Sequence, residues 1–218
     1  MLANNALEFM TDPMTAIAQT TSIQARRTCR YHAAMNADFA QNLCTTLQTT
    51  RLRLEPLTTA HADSAFAPLQ NDAIYEWISM QKPSSVESLR ENWARLESRM
   101  APDGLQAWPT WAVCSAAHDG AVIGRVDAVV DQHKAGINFG YYFFPAYWGQ
   151  GLASEAVHAA ADHLLQRGVT RLVATVTAGN LASARVLCKA GFAFTRVMVD
   201  NDTVRGILVN DEEYLRTP

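Results

Sequence analysis

Gly149 and Gly151 stand one residue apart, between the aromatic run Tyr141-Tyr142-Phe143-Phe144-Pro145 and an alanine-rich segment that begins at Leu152. Proline ends a strand because it cannot donate to a ladder. A glycine-paired loop that runs straight into a helix leaves several backbone N–H groups with no bulky side chain over them. The helix start adds partial positive charge, so the chemistry that fits is capture of an anion, a phosphate group above all. On this reading a side chain at Gly151 would block the phosphate. Two other nucleotide patterns fit poorly. A P-loop requires Lys and Ser/Thr after its last glycine, where Leu152 and Ala153 stand, and a G-x-G-x-x-G fingerprint fails at Ser154.

A second set follows at Asn180–Phe192, NLASARVLCKAGF. Asn180 comes directly after a strand-like segment and Ser183 is three residues on, so both side chains can point from one helix start toward one cleft. Asp127, on a neighbouring strand, is a candidate proton acceptor, with a solvated strand residue as the plainer alternative. No metal site is expected. The six histidines show no HExxH spacing, and His158 and His163 fall on different faces of one helix. The four cysteines are widely separated, with no CxxC pair, and fit reduced thiols of a cytoplasmic protein. Cys188 is expected in the core.

The elements that must position these groups can be read from residue 51 onward. RLRLEPL alternates like a half-buried strand. Thr58 caps a helix, NDAIYEWI forms a short one, and Ser84 with Glu87 has the spacing of a capping box before a third. TWAVCSA, AVIGRVDAVV and INFGYYFF follow as three antiparallel strands joined by the turns HDG and DQHKAG. A helix from Leu152 to Arg167, the strand RLVATVT, a helix from Asn180 to Ala190, the strand FAFTRVMV and a last strand at TVRGILV complete the chain. The order predicts an α+β domain with a mainly antiparallel sheet of about seven strands and one strand–helix–strand crossover. Trp77, Trp93, Trp108 and Trp111 are expected mostly in the core, with one or two lining an acceptor pocket. The acidic NDEE at Asn210–Glu213 reads as a solvated run near the terminus.

With 218 residues, 49% apolar and 18% charged, the chain suits one globular domain plus an extension. Residues 1–50 lack periodic apolar patterning and are expected to be a loosely ordered extension before a domain at 51–218. A net charge of −3 argues against a nucleic-acid partner. No apolar run is long enough to cross a bilayer.

Residues Gly140–Ala156 together with Asn180, Ser183, Leu187, Lys189, Gly191 and Phe192 resemble the GCN5-related N-acetyltransferase superfamily, and within it the branch of ribosomal-protein N-terminal acetyltransferases (RimJ/RimL-like). The resemblance covers about residues 50–212. It implies the fold of that superfamily, acetyl-coenzyme A as donor, and direct attack on the thioester by a primary amine. The amine would belong to a protein N-terminus or a small molecule; an antibiotic- or polyamine-type acceptor, or a non-catalytic acyl-coenzyme A-binding module, are the rival readings. A homodimer is left open. The resemblance also implies that the backbone of Tyr142 and Phe143 pairs with the pantetheine arm. The loop from Trp148 through Gly149, Gln150, Gly151, Leu152 and Ala153 to Ser154 would hold the pyrophosphate, and Asn180 and Ser183 would lie near the sulfur. Two positions depart from the pattern: Leu187 stands where a Tyr acid is common, and Asn138 where the branch carries Glu. Ser183 is then the expected acid, and Asp127 or a water the base.

Overall fold

The computed structural model describes residues 34–218. Its sheet has the order β1-β2-β4-β5-β6-β7-β9-β8, with β3 paired to β5. The strands are β1 (Leu47–Gln48), β2 (Leu52–Pro56), β3 (Gln106–Ala107), β4 (Thr110–Ser115), β5 (Val122–Asp131), β6 (Ala135–Phe143), β7 (Arg171–Thr177), β8 (Ala193–Val204) and β9 (Ile207–Arg216). β1 and β3 are two residues each, so the longer strands match the expected seven. All neighbours are antiparallel except β6 and β7. The helices are α1 (Ala37–Asn42), α2 (Ala62–Leu69), α3 (Val86–Leu96), α4 (Leu152–Gln166) and α5 (Leu181–Lys189).

Two apolar clusters sandwich the sheet. One gathers α1, α4 and α5 around Trp111, Phe139, Leu164 and Leu187. The other gathers α2 and α3 around Leu57, Trp93, Trp108 and Phe144. β5, whose residues are buried through Val130, runs through the centre; its sequence is apolar apart from Arg125 and Asp127, which are buried against each other as an ion pair.

The feature that positions the site is a parting of two strands. β6 and β7 pair only at Ala135↔Arg171 and Gly136↔Leu172. A Cβ on Gly136 would lie 2.6 Å from Leu172 Cδ2, so this close pairing needs glycine. The β5–β6 register then shifts between Val129 and Val130, leaving Ile137 as an extra residue. Such a bulge bends and twists its strand, and from there β6 leaves β7.

Several expectations are corrected. The described part of the N-terminal segment is packed, not loose: Met35, Ala40, Leu43 and Cys44 join the main core. The remainder of that extension, residues 1–33, lies outside the described residues. The capping box uses Ser85 and Ser88, one residue later than Ser84 and Glu87. NDAIYEWI forms a 3₁₀ turn at Asp72–Glu76 rather than an α-helix. TVRGILV is not one strand but the tip of the β8–β9 hairpin. Arg205 (φ 51°) and Gly206 (φ 78°) form its two-residue turn, and turns of that hand match strand twist. The last strand therefore runs through NDEE, and Asp211 is buried. Cys188 is exposed, on the outer side of α5.

Candidate active site

Where β6 parts from β7, one backbone edge of β6 faces a gap. Phe144 N–H donates to Ile123 O at 2.9 Å, and Arg125 lies opposite Tyr142. Antiparallel alternation therefore turns Tyr142's N–H and C=O toward β5, and those of Tyr141 and Phe143 toward the gap. The edge expected from Tyr142 and Phe143 is thus shifted to Tyr141 and Phe143. Trp148 Nε1 already donates to Phe143 O at 2.6 Å, which leaves Phe143's N–H as that residue's group facing the gap.

The loop after β6 enters α4 through two left-handed residues, Gly149 (φ 74°) and Gly151 (φ 76°). Trp148 N–H donates to Pro145 O, and Glu155 N–H donates to Gly151 O. Between them, the N–H groups from Gly149 to Ser154 find no protein acceptor among the described residues. A Cβ on Gly149 would meet open space, whereas one on Gly151 would point at Arg51 Nη2, 3.6 Å away. The expectation for Gly151 is therefore revised. Its glycine is required by φ, and a side chain there would face Arg51 rather than an incoming phosphate. The loop borders a groove of about 390 Å³ that also receives Ala153, Ser154, Arg185 and Lys189.

Across the groove, α5 begins at Asn180, whose Oδ1 accepts the Ser183 N–H at 3.1 Å. This bond caps the helix and places Ser183 at the gap. Tyr141's hydroxyl lies 2.7 Å from Ser183 Oγ and 3.0 Å from Ser183 O. Burial, the largest influence, pushes Tyr141's pKa well above the phenol range, so it stays protonated. Leu187 is fully buried and takes no part in the groove.

A second cavity, about 320 Å³, opens on the other side of Tyr141. It shares Trp77, Ile78, Tyr141, Tyr142, Asn180 and Ser183 with the groove, so the two compartments meet at the Tyr141–Ser183 contact. Asp127, Asp202 and Asp211 line the second cavity. Asp127 is buried rather than solvated: its Oδ1 accepts from Arg125 Nε at 3.0 Å. Gly140 opposite makes room for it, since a Cβ there would sit 3.2 Å from Asp127 Oδ2. Asp211 Oδ2 accepts from Asn201 Nδ2 at 2.7 Å. Burial, then the Asp202 charge, raises its pKa above the usual carboxylate range.

This geometry has counterparts. The family model described as acetyltransferase (GNAT) domain matches residues 51–193. The chain belongs to the GNAT acetyltransferase family. It is an N-acetyltransferase, and its α+β architecture is the GNAT fold. A Bacillus subtilis (strain 168) protein named uncharacterized N-acetyltransferase YoaA is 29% identical over 154 residues, 67% of this chain and 81% of that one. Among solved structures, RimL, a ribosomal L7/L12 alpha-N-protein acetyltransferase in complex with coenzyme A, superposes with TM-score 0.69 at 19% identity. It spans 79% of this chain and 97% of that one. The microcin C7 self immunity acetyltransferase MccE, in complex with acetyl-CoA and AMP, gives TM-score 0.65 at 13% identity over 78% and 94%.

Within this GNAT chain, Asn180 and Ser183 line both compartments, the glycine loop lines the groove and Asp127 the second cavity; sequence reasoning missed Tyr141's side chain, Asp202 and Asp211. Strand alternation held the signal for Tyr141, because with Phe139 in the core its neighbours two apart share a face. Nothing local marks Asp211 as buried; that depends on the hairpin turn at Arg205-Gly206. Of the four tryptophans expected mostly in the core, Trp93, Trp108 and Trp111 are there. Trp77 lines both compartments, held by Thr177 Oγ1 donating to its carbonyl at 3.0 Å. Among the described residues, no group of acidic, His and Cys side chains could hold a metal ion.

Asp211 gives a test independent of catalysis. A carboxyl whose folded pKa exceeds its unfolded value holds its proton more tightly in the fold. Its contribution to stability therefore falls as pH rises from the ordinary aspartate range through the folded pKa, and stays low above it. Asp211→Asn is expected to raise Tm at about pH 7.5 and to give no gain at about pH 3.5. Equal shifts at both pH values in thermal melts would contradict a raised pKa.

Proposed function

We propose that this protein transfers the acetyl group of acetyl-coenzyme A to a primary amine by direct attack. The observation that carries the reading is the run of unpaired N–H groups from Gly149 to Ser154, beside the open β6 edge. Donors with no protein acceptor at a helix start fit a diphosphate, and the N–H groups of Tyr141 and Phe143 fit an amide-bearing arm laid along the strand as an added edge. Trp148, Gln150, Leu152 and Ala153 complete the loop that would hold it. When bound, the thioester supplies an acyl group already activated for attack, so positioning does much of the work.

The protein's own residues supply three things. Tyr141's N–H faces the gap and is placed to stabilise negative charge on a carbonyl oxygen there. Ser183 is the acid for the departing sulfur: its Oγ lines the cleft and lies 2.7 Å from Tyr141's hydroxyl, a bond in which either oxygen can donate, so the pair can pass a proton toward the sulfur. Asn180 positions Ser183 through the helix cap. The attacking amine loses its proton to a carboxylate of the second cavity. Asp127, expected for that task, is engaged by Arg125; Asp211, with its raised pKa, is the stronger acceptor of a proton.

With Asp127 paired to Arg125 and Asp211 given to the proton, Asp202 favours an acceptor that carries a second cation near its reacting nitrogen, whether a small polyamine or a basic peptide N-terminus. A thiol-release assay with acetyl-coenzyme A and paired mono- and diamines tests both levels. Turnover with a diamine preferred by about tenfold over its monoamine isostere, and loss of that preference in Asp202→Asn, is the expected result. Coenzyme A binding without turnover on any amine would sink the transfer reading and leave an acyl-coenzyme A-binding module.

A further inference from the structure

Glu155 sits in the first turn of α4, one residue beyond the run of free N–H groups, where its negative charge opposes any anion approaching them. Its carboxylate is nevertheless turned away from the groove. Oε1 accepts from Thr49 Oγ1 at 2.6 Å and from Arg51 N at 2.9 Å, while Oε2 accepts from Arg51 Nε at 2.7 Å. These bonds hold its pKa below the usual glutamate value, against a desolvation effect that pulls the other way. It is therefore ionised, and Arg51 is its counter-charge.

The same guanidinium does a second thing. Arg51 Nη1 donates to Gln150 O at 2.9 Å, from the back of the loop. In a planar trans peptide the C=O of one residue and the N–H of the next point in opposite directions. Drawing Gln150 O toward Arg51 therefore aims the Gly151 N–H away from Arg51, toward the groove. Gly151's left-handed φ of 76° is the conformation that permits this orientation.

We propose that Arg51 is a positioning residue for anion capture: it neutralises Glu155 and fixes the Gln150–Gly151 peptide so that the loop presents its donors inward. The inference rests on the reading of the loop as the diphosphate site.

The test is calorimetric titration of the full chain with coenzyme A, for wild type, Arg51→Met, Glu155→Gln and the double variant. If wild type binds no coenzyme A, the underlying reading fails before Arg51 is at issue. Given wild-type binding, Arg51→Met is expected to weaken it about 10- to 30-fold, because Glu155 is left uncompensated and the peptide unpinned. KM for acetyl-coenzyme A should rise by a similar factor, while kcat at saturation moves less than about threefold. Glu155→Gln removes the opposing charge and keeps an acceptor for Arg51; it should bind within about threefold of wild type, or more tightly. The double variant should recover part of the Arg51→Met loss, and the gap between Arg51→Met and wild type should narrow as salt rises from about 0.05 to 0.5 M. Wild-type affinity in Arg51→Met overturns the proposal, and so does a double variant as weak as Arg51→Met. Should Arg51→Met not fold, Glu155→Gln still decides: a tenfold weaker affinity in that folded variant overturns the proposal.

Discussion

Ser154→Glu should weaken coenzyme A binding by about 100-fold while leaving the fold as stable as wild type or slightly more so. Ser154 lies in the first turn of α4, beside the free N–H groups and lining the groove. A carboxylate there is favoured by the helix dipole, which contributes about 0.5 kcal/mol to stability. The same carboxylate would stand on the order of 5 Å from an anion held by those donors, close enough for direct charge repulsion. At an effective dielectric of about 20 that separation costs about 3 kcal/mol per unit charge, or two orders of magnitude in affinity. The two effects have opposite signs, so the variant separates the ligand from the scaffold in a way Gly151→Val cannot. At Gly151 the left-handed φ makes any β-branched residue strained, so a loss of binding there would be mixed with loss of fold. Isothermal titration and a thermal melt on one preparation check both signs. Undiminished affinity in Ser154→Glu would remove the diphosphate from this loop.

Ser183→Ala is expected to lower kcat by about 100-fold, the range for losing a general acid, with coenzyme A affinity within about threefold of wild type. Tyr141→Phe should act in the same direction but less, about tenfold, because it leaves Ser183 in place without the hydroxyl bonded to its Oγ at 2.7 Å. Combining the two should cost no more than Ser183→Ala alone, since Tyr141 acts through Ser183. Steady-state rates at saturating acetyl-coenzyme A measure all three. Wild-type turnover in Ser183→Ala would take that serine out of the chemistry, and fully multiplicative losses would give Tyr141 an independent role.

Much of this was readable before any coordinates. Local rules announced the three-strand meander, the helix starting after Gly151 and the helix start at Asn180, because turn residues and periodicity act within a few positions. What they could not show was anything that depends on two distant segments meeting. Ser84 against Ser85 as the cap was a choice between neighbours, and Ser85 takes it by accepting the Ser88 N–H at 3.1 Å. TVRGILV looked continuous because β-branched residues flank a two-residue turn. Mistaking that hairpin for one strand sent Asp211 to the solvent when β9 in fact carries it into the second cavity.

The sequence by itself determined that a glycine loop feeds a helix N-terminus and that Asn180 and Ser183 share another, since each is a matter of spacing along the chain. Only the tertiary structure decided which side chains face one another across the gap: Tyr141 with Ser183, Arg51 with Glu155 and Gln150, three aspartates around one cavity. The reason is physical. The gap exists because the bulge at Ile137 bends β6 away from β7 after two paired residues, and the residues that line it come from strands separated in sequence by tens of positions. Propensities are local, but the parting of two strands is decided by the twist of the whole sheet.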